Sequence, residues 1–193
     1  VKVVIGVAVL FAALGASSAC QSPPALEAPV PRLVLPGTDG ATHDLAKEAR
    51  SARLTVLFFS AWSCPCQTVH DARIRELYSR YHPLGVNVLA VDSETVGSMP
   101  RAKEEAVRRG YDFPVLLDGG GALARALGAE YATESLVLDS MGIVRYHGGL
   151  DSDRNELHDD ALPYLGNALD DLLAGKSPRT AESKALGCAL QTW

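Results

Sequence analysis

The chain has 193 residues, 47% of them hydrophobic and 21% charged, with a formal net charge of −5. That length carries one domain with a proper core plus short appendages. A net negative charge with no basic block argues against a nucleic-acid partner.

The first stretch stands apart from the rest. Val1-Lys2 supplies a positive charge, Val3 to Leu14 is almost wholly apolar, and Gly15 to Ala19 is small. The apolar run is short for a bilayer span, and its layout is that of a secretory signal over residues 1–19. Cys20 follows. Ser17-Ser18-Ala19-Cys20 resembles the box at which bacterial lipoproteins are cut before a lipid-bearing cysteine, but Ser17 stands where leucine is usual. Ser17 and Ala19 equally satisfy an ordinary small-x-small cleavage. The expectation is export to the periplasm or cell envelope, with Cys20 as a lipidation candidate and membrane anchor. Residues 20–31, with four prolines between 21 and 31, read as a linker.

A domain over residues 32–175 is expected next. Arg32 to Leu35 reads as a short strand and Pro36 to Gly40 as a turn. Thr42 is placed to cap a short helix over 43–50. Leu54 to Phe59 is an unbroken apolar, β-prone run, as in a strand buried on both faces. From Cys66 to Tyr81, Val69, Ile74, Leu77 and Tyr81 recur on one side of a helix, and Pro83 and Gly85 end it. Val86 to Val91 is a second buried strand. Ser98 opens a helix with Pro100 in its first turn, and Gly110 closes it.

Phe113 to Leu117 is a short strand, and 121–127 a small helix stopped by Gly128. Ser135 to Asp139 and Ile143 to His147 are strands joined by a connection of hairpin length. A last helix is expected over 156–174, with Leu162, Leu165, Leu169 and Leu172 as its buried stripe and its regular part starting near Pro163. Residues 176–193 form a tail carrying Cys188. Strands alternating with helices, then a hairpin and a closing helix, give an α/β fold: a central mixed sheet with helices on both faces.

The chemistry concentrates in Phe58 to His70, FFSAWSCPCQTVH, at the junction of the first core strand with its helix. Open α/β sheets place functional groups at such junctions. With Cys20 set aside, Cys64, Cys66 and Cys188 remain, and an odd count signals a free thiol, a metal site or an exchanging disulfide. A helix N-terminus favours the thiolate, the form that attacks disulfides and peroxides. Pro65 stiffens the turn, and its missing N–H costs nothing in a first helical turn. Trp62 covers one side. A bridge between Cys64 and Cys66, with one residue between them, is strained and easily reduced. Cys188 offers either of them a different partner if the tail folds back. His70, four residues after Cys66, shares its helix face and is a candidate to take a proton, stabilise a thiolate or ligate a metal. The four together, Cys64, Cys66, His70 and Cys188, are soft ligands suited to Cu(I) or zinc. His43, His82, His147 and His158 read as surface or loop residues, and Asp92, Asp118 and Asp139 as turn formers at strand ends.

LTVLFFSAWSCPC, VNVLAVDSE, FPVLLD and LGAEYATESLVLDSMGIVRYHGG, in that order, resemble the thioredoxin-like superfamily. Within it, the chain most resembles the exported redoxins, namely the alkyl hydroperoxide reductase/thiol-specific antioxidant family and membrane-anchored thiol–disulfide thioredoxins. Three departures stand out. Ser63 occupies the first-cysteine position of the usual W-C-x-x-C and Cys66 the second, so Cys64 is a shifted thiol. Counting back from Cys64 gives Ala61 and Leu57 where a peroxiredoxin has Thr/Ser and Pro. Thr133 falls where the family has a cis-proline facing the cysteines, which implies an altered substrate-holding surface. The spacing differs from that of the related copper-delivery proteins. The resemblance implies a thiol–disulfide oxidoreductase or thiol-dependent antioxidant needing no dissociable cofactor. Its partners would be thiol or disulfide proteins or small peroxides, with Cys64 as nucleophile and Cys66 or Cys188 resolving. The alternative expectation is a Cu(I)-binding protein of the same fold.

Overall fold

The computed structural model describes residues 26–192. Its centre is a five-stranded sheet of β3 (Leu54–Ser60), β4 (Val86–Asp92), β5 (Val115–Leu117), β6 (Ser135–Asp139) and β7 (Val144–Gly148), in the order β5-β4-β3-β6-β7. β3, β4 and β5 run parallel, while β6 lies antiparallel to both β3 and β7. The apolar run over 54–59 thus becomes the middle strand, and every residue of β3 is buried. Side chains alternate across it. Leu57 and Phe59 join one core, with Leu89, Leu116, Leu136 and Leu138. Val56 and Phe58 join the other, with Val88, Val137 and Tyr146.

Helices cover both faces, as the alternation of elements predicts. α1 (Leu45–Ser51) and α4 (Ala122–Leu127) supply Leu45, Leu123 and Leu127 to the first core. α2 (Pro65–Tyr81), α3 (Met99–Arg109) and α5 (Tyr164–Leu173) supply Ile74, Ala102, Ala106, Leu165 and Leu169 to the second. Gly110 closes α3 in the left-handed conformation that glycine adopts without penalty. A small antiparallel pair, β1 (Val34–Pro36) and β2 (Thr42–Asp44), precedes α1. No helix among the described residues is long and apolar enough to cross a membrane.

Several expectations are corrected. Thr42 lies in β2, and Asp44 caps α1 by accepting from the Ala46 and Lys47 N–H groups at 3.0 and 3.3 Å. The last helix, α5, starts at Tyr164, just after Pro163 as expected for its regular part, and residues 156–163 are not helical. Residues 151–158 instead use their carboxylates: Asp151 and Asp153 are buried and both accept from Arg73, at 2.7 and 2.8 Å. Leu162, outside the helix, is exposed. Residues 27–30, expected as linker, pair with the free edge of β7, where Glu27 N–H donates to the Val144 carbonyl at 2.9 Å and Val144 N–H to Ala28 at 3.0 Å. The signal, the cleavage site and Cys20 lie outside the described residues.

Candidate thiol site

Cys64 is the N-cap of α2 and Pro65 its first residue, so the end of β3 delivers the cysteine to the helix N-terminus. Around it the loop is bound from several directions. Ala61 N–H donates to Gln67 Oε1 at 2.8 Å, and Cys64 N–H to the Ala61 carbonyl at 2.9 Å. Trp62 is buried, and its indole Nε1–H donates to Asp92 at 2.8 Å, which satisfies a ring nitrogen that burial would otherwise strand. Arg109, the last residue of α3, donates to the Trp62 carbonyl at 2.7 Å and to Asp71 at 2.8 Å. Its guanidinium also lies 5.6 Å from the Trp62 ring centre, in cation–π range. Tyr111 donates to Asp71 at 2.6 Å, and burial together with that carboxylate raises its phenol pKa far above the ordinary value.

The tail folds back across this loop. Cys188 forms a disulfide with Cys64, with Cα atoms 5.8 Å apart, inside the usual spacing of such bonds. Cys66 is buried and free, and its thiol donates to Asn155 Oδ1 at 2.8 Å. The three sulfurs lie within 4.8 Å of one another. Of the two partners left open for Cys188, the structure selects Cys64.

His70 does not join them, contrary to the expectation. The shared helix face holds, but the ring is turned to other partners. Nδ1 is 2.6 Å from the Cys66 carbonyl oxygen and Nε2 3.1 Å from Asp151. No ring nitrogen among the described residues belongs to the sulfur cluster. Burial opposes protonation of His70, but Asp151 and the Cys66 carbonyl outweigh it and raise its pKa above the ordinary value. Burial likewise opposes ionisation of Asp151, and the bonds from His70 and Arg73 hold its pKa below the ordinary carboxylate value.

Thr133 is buried beside the tail, with its N–H bonded to the Phe59 carbonyl at 2.9 Å. Its φ of 68° is a left-handed conformation unusual for a β-branched residue. Such a conformation costs about 1–3 kcal/mol and persists because its surroundings enforce it. Among the other histidines, His82 and His158 are exposed as expected. His43 is buried between Asp39 and Glu48, and His147 is half-buried against Glu134 at 2.6 Å. Asp139 forms the expected turn by accepting from the Met141 and Ile143 N–H groups. Asp118 instead caps α4 through Leu123 and Ala124, and Asp92 holds the tryptophan. Arg109, Asp71, Asp92 and Asn155 were not among the sequence candidates. The buried indole of Trp62, which needs an acceptor, was the one signal pointing to any of them.

No curated protein matches the chain. Among solved structures, an uncharacterized conserved protein from Geobacillus kaustophilus is 27% identical, with a TM-score of 0.79 over 88% of this chain and 93% of that one. A hypothetical protein from Sinorhizobium meliloti 1021 is 25% identical, with a TM-score of 0.78 over 86% and 94%. Peroxidoxin BcpB from Mycobacterium tuberculosis, 19% identical over 78% and 94% with a TM-score of 0.57, shares the fold. The sheet order, the covering helices and these likenesses make the fold thioredoxin-like. The Redoxin family model matches residues 25–162, and the chain belongs to that family.

Proposed function

We propose that this protein is an exported thiol–disulfide oxidoreductase in which Cys64 is the nucleophile and Cys188 resolves. The observation that carries the reading is the Cys64–Cys188 disulfide with the Cys66 thiol beside it. In the reduced protein, the Cys64 thiolate at the α2 N-terminus attacks one sulfur of a substrate disulfide. The substrate's other sulfur leaves as a thiolate. Cys188 then attacks the Cys64 sulfur of the mixed disulfide, releases the second substrate thiol and forms the Cys64–Cys188 bond. An external dithiol resets the enzyme by taking up that disulfide. Cys66 provides an internal route: its thiolate attacks Cys188, forms Cys66–Cys188 and releases Cys64 at the helix N-terminus, where the leaving anion is favoured. Export rests on the layout of residues 1–19.

Steady-state reduction of a protein disulfide by Cys64→Ser, Cys66→Ser and Cys188→Ser variants tests the assignment. Cys64→Ser should abolish turnover, Cys188→Ser should stall at a mixed disulfide, and Cys66→Ser should slow but retain the cycle. Full turnover by Cys64→Ser would overturn it. Fractionation of cells making the full chain tests export.

A second reading, Cu(I) capture by the reduced protein, is favoured by the three clustered sulfurs. Thiolates are the soft donors that suit Cu(I). Cys64, Cys66 and Cys188 would hold the ion, without His70. Anaerobic titration against a Cu(I) chelator tests this: binding should require reduction and weaken in Cys188→Ser. Binding that the substitution leaves unchanged would contradict it.

A further inference from the structure

The tail lies across the thiol site as an added strand. Ala132 N–H donates to the Cys188 carbonyl at 2.8 Å, Leu190 N–H to the Glu130 carbonyl at 2.9 Å, and Tyr131 pairs antiparallel with Ala189. From the other side, Thr95 N–H donates to the Gln191 carbonyl at 2.8 Å. Side chains alternate as in a strand, with Ala189 and Gln191 exposed and Leu190 and Thr192 buried. These bonds use only main-chain atoms of the tail, so any extended segment can make them.

Two tail positions add selection. A Cβ at Gly187 would stand 1.8 Å from the Ala132 carbonyl oxygen, a backbone atom, so position 187 admits glycine alone without a shift of the segment. Leu190, 6% exposed, joins the core cluster that contains Leu123, Leu127 and Ala129. Between them Cys188 reaches Cys64.

We propose that residues 187–190 are the resident occupant of a peptide site, and that partner proteins are recognised there as an extended Gly-Cys-x-Leu segment. The proposal rests on the thiol-exchange reading and names the class of partner that exchanges with Cys64. The partner's cysteine thiolate attacks the Cys64 sulfur, the Cys64–Cys188 bond breaks, and Cys188 leaves as a thiolate. A Cys64–partner disulfide forms, and the partner segment takes the strand position the tail vacates. One disulfide is exchanged for another with no net oxidation, and the partner's thiol proton passes to solvent.

The same recognition is read in the reverse direction with the reduced full chain carrying Cys188→Ser. The probe is a peptide of residues 183–192 whose cysteine is bonded to thionitrobenzoate, so that attack by Cys64 releases a coloured thiol. The glutathione mixed disulfide of the same chromophore reports intrinsic reactivity. The native peptide should react at least about tenfold faster than its Gly187→Ala and Leu190→Ala versions, a difference of about 1.4 kcal/mol. Placing Gly187→Ala in the protein's own tail should loosen the occupant and speed reaction with the native peptide. Equal rates for the three peptides, with the glutathione reagent still reacting, would overturn this proposal alone. Failure of the glutathione reagent to react would overturn the thiol-exchange reading beneath it.

Discussion

Cys64 and Cys188 are 124 residues apart in sequence, yet their Cα atoms stand 5.8 Å apart and their sulfurs are bonded. That single link closes a loop running from the start of α2 through α5 to the tail, and pins the tail over the N-terminus of α2. It joins the first core strand's exit to the last segment of the chain.

The link should contribute to stability as well as chemistry. Closing a long loop removes entropy from the unfolded chain, with a typical effect of about 2–4 kcal/mol. Cys188→Ser should therefore lower the stability of the oxidised protein by that amount, measured by denaturant unfolding without reductant. Wild type under reducing conditions should fall to near the variant. An unchanged midpoint in both would remove the disulfide from the account of stability.

Arg109 should be indispensable to the shape of the cysteine loop. Its buried guanidinium holds the Trp62 carbonyl, Asp71 and the Trp62 ring at once. Arg109→Ala leaves the half-buried Asp71 without its cation, at a cost below the roughly 3–5 kcal/mol of breaking a fully buried pair. Lysine cannot reproduce the planar fork, so Arg109→Lys should recover less than half of the loss. Thermal unfolding measures the cost. A shift in Trp62 fluorescence, against Trp193→Phe as background, reports the loop.

Stability should depend on pH through His70 and Asp151. His70 has a raised pKa, so its contribution is complete below its unfolded value of about 6.5 and is lost as pH rises through the higher folded value. Asp151 has a lowered pKa, so its contribution is complete above its unfolded value of about 3.9 and is lost as pH falls through the lower folded one. His70→Gln should flatten the decline on the alkaline side of about pH 6.5 relative to wild type. Equal slopes in the two proteins would contradict the His70–Asp151 pairing.

Much of this architecture can be read from local sequence. The apolar run of β3 had to be a central strand, and Pro65 and Gly110 mark helix ends by properties of single residues. The cysteine window stood out for the same reason. Long-range pairing is different in kind. Nothing local says that Trp62 will meet Asp92, 30 positions on, or Arg109, 47 positions on. The spacing of His70 from Cys66 gives a common helix face, but the ring's direction depends on Asp151, 81 residues away. The choice of Cys64 over Cys66 as the partner of Cys188 likewise depends on how the tail threads between residues 130–132 and Thr95. The regular part of the closing helix begins at Tyr164, where Pro163 marks it, while Asp151 and Asp153 before it are held by Arg73, a pairing that no local pattern shows.

The most direct measurement is to quench reduced Cys188→Ser protein with acid after mixing with a disulfide substrate, and to locate the substrate adduct by mass spectrometry of unreduced peptides. The adduct should lie on Cys64, and the same experiment on wild type should yield Cys64 joined to Cys188. An adduct on Cys66, or a wild-type product linking Cys64 to Cys66, would contradict the assignment.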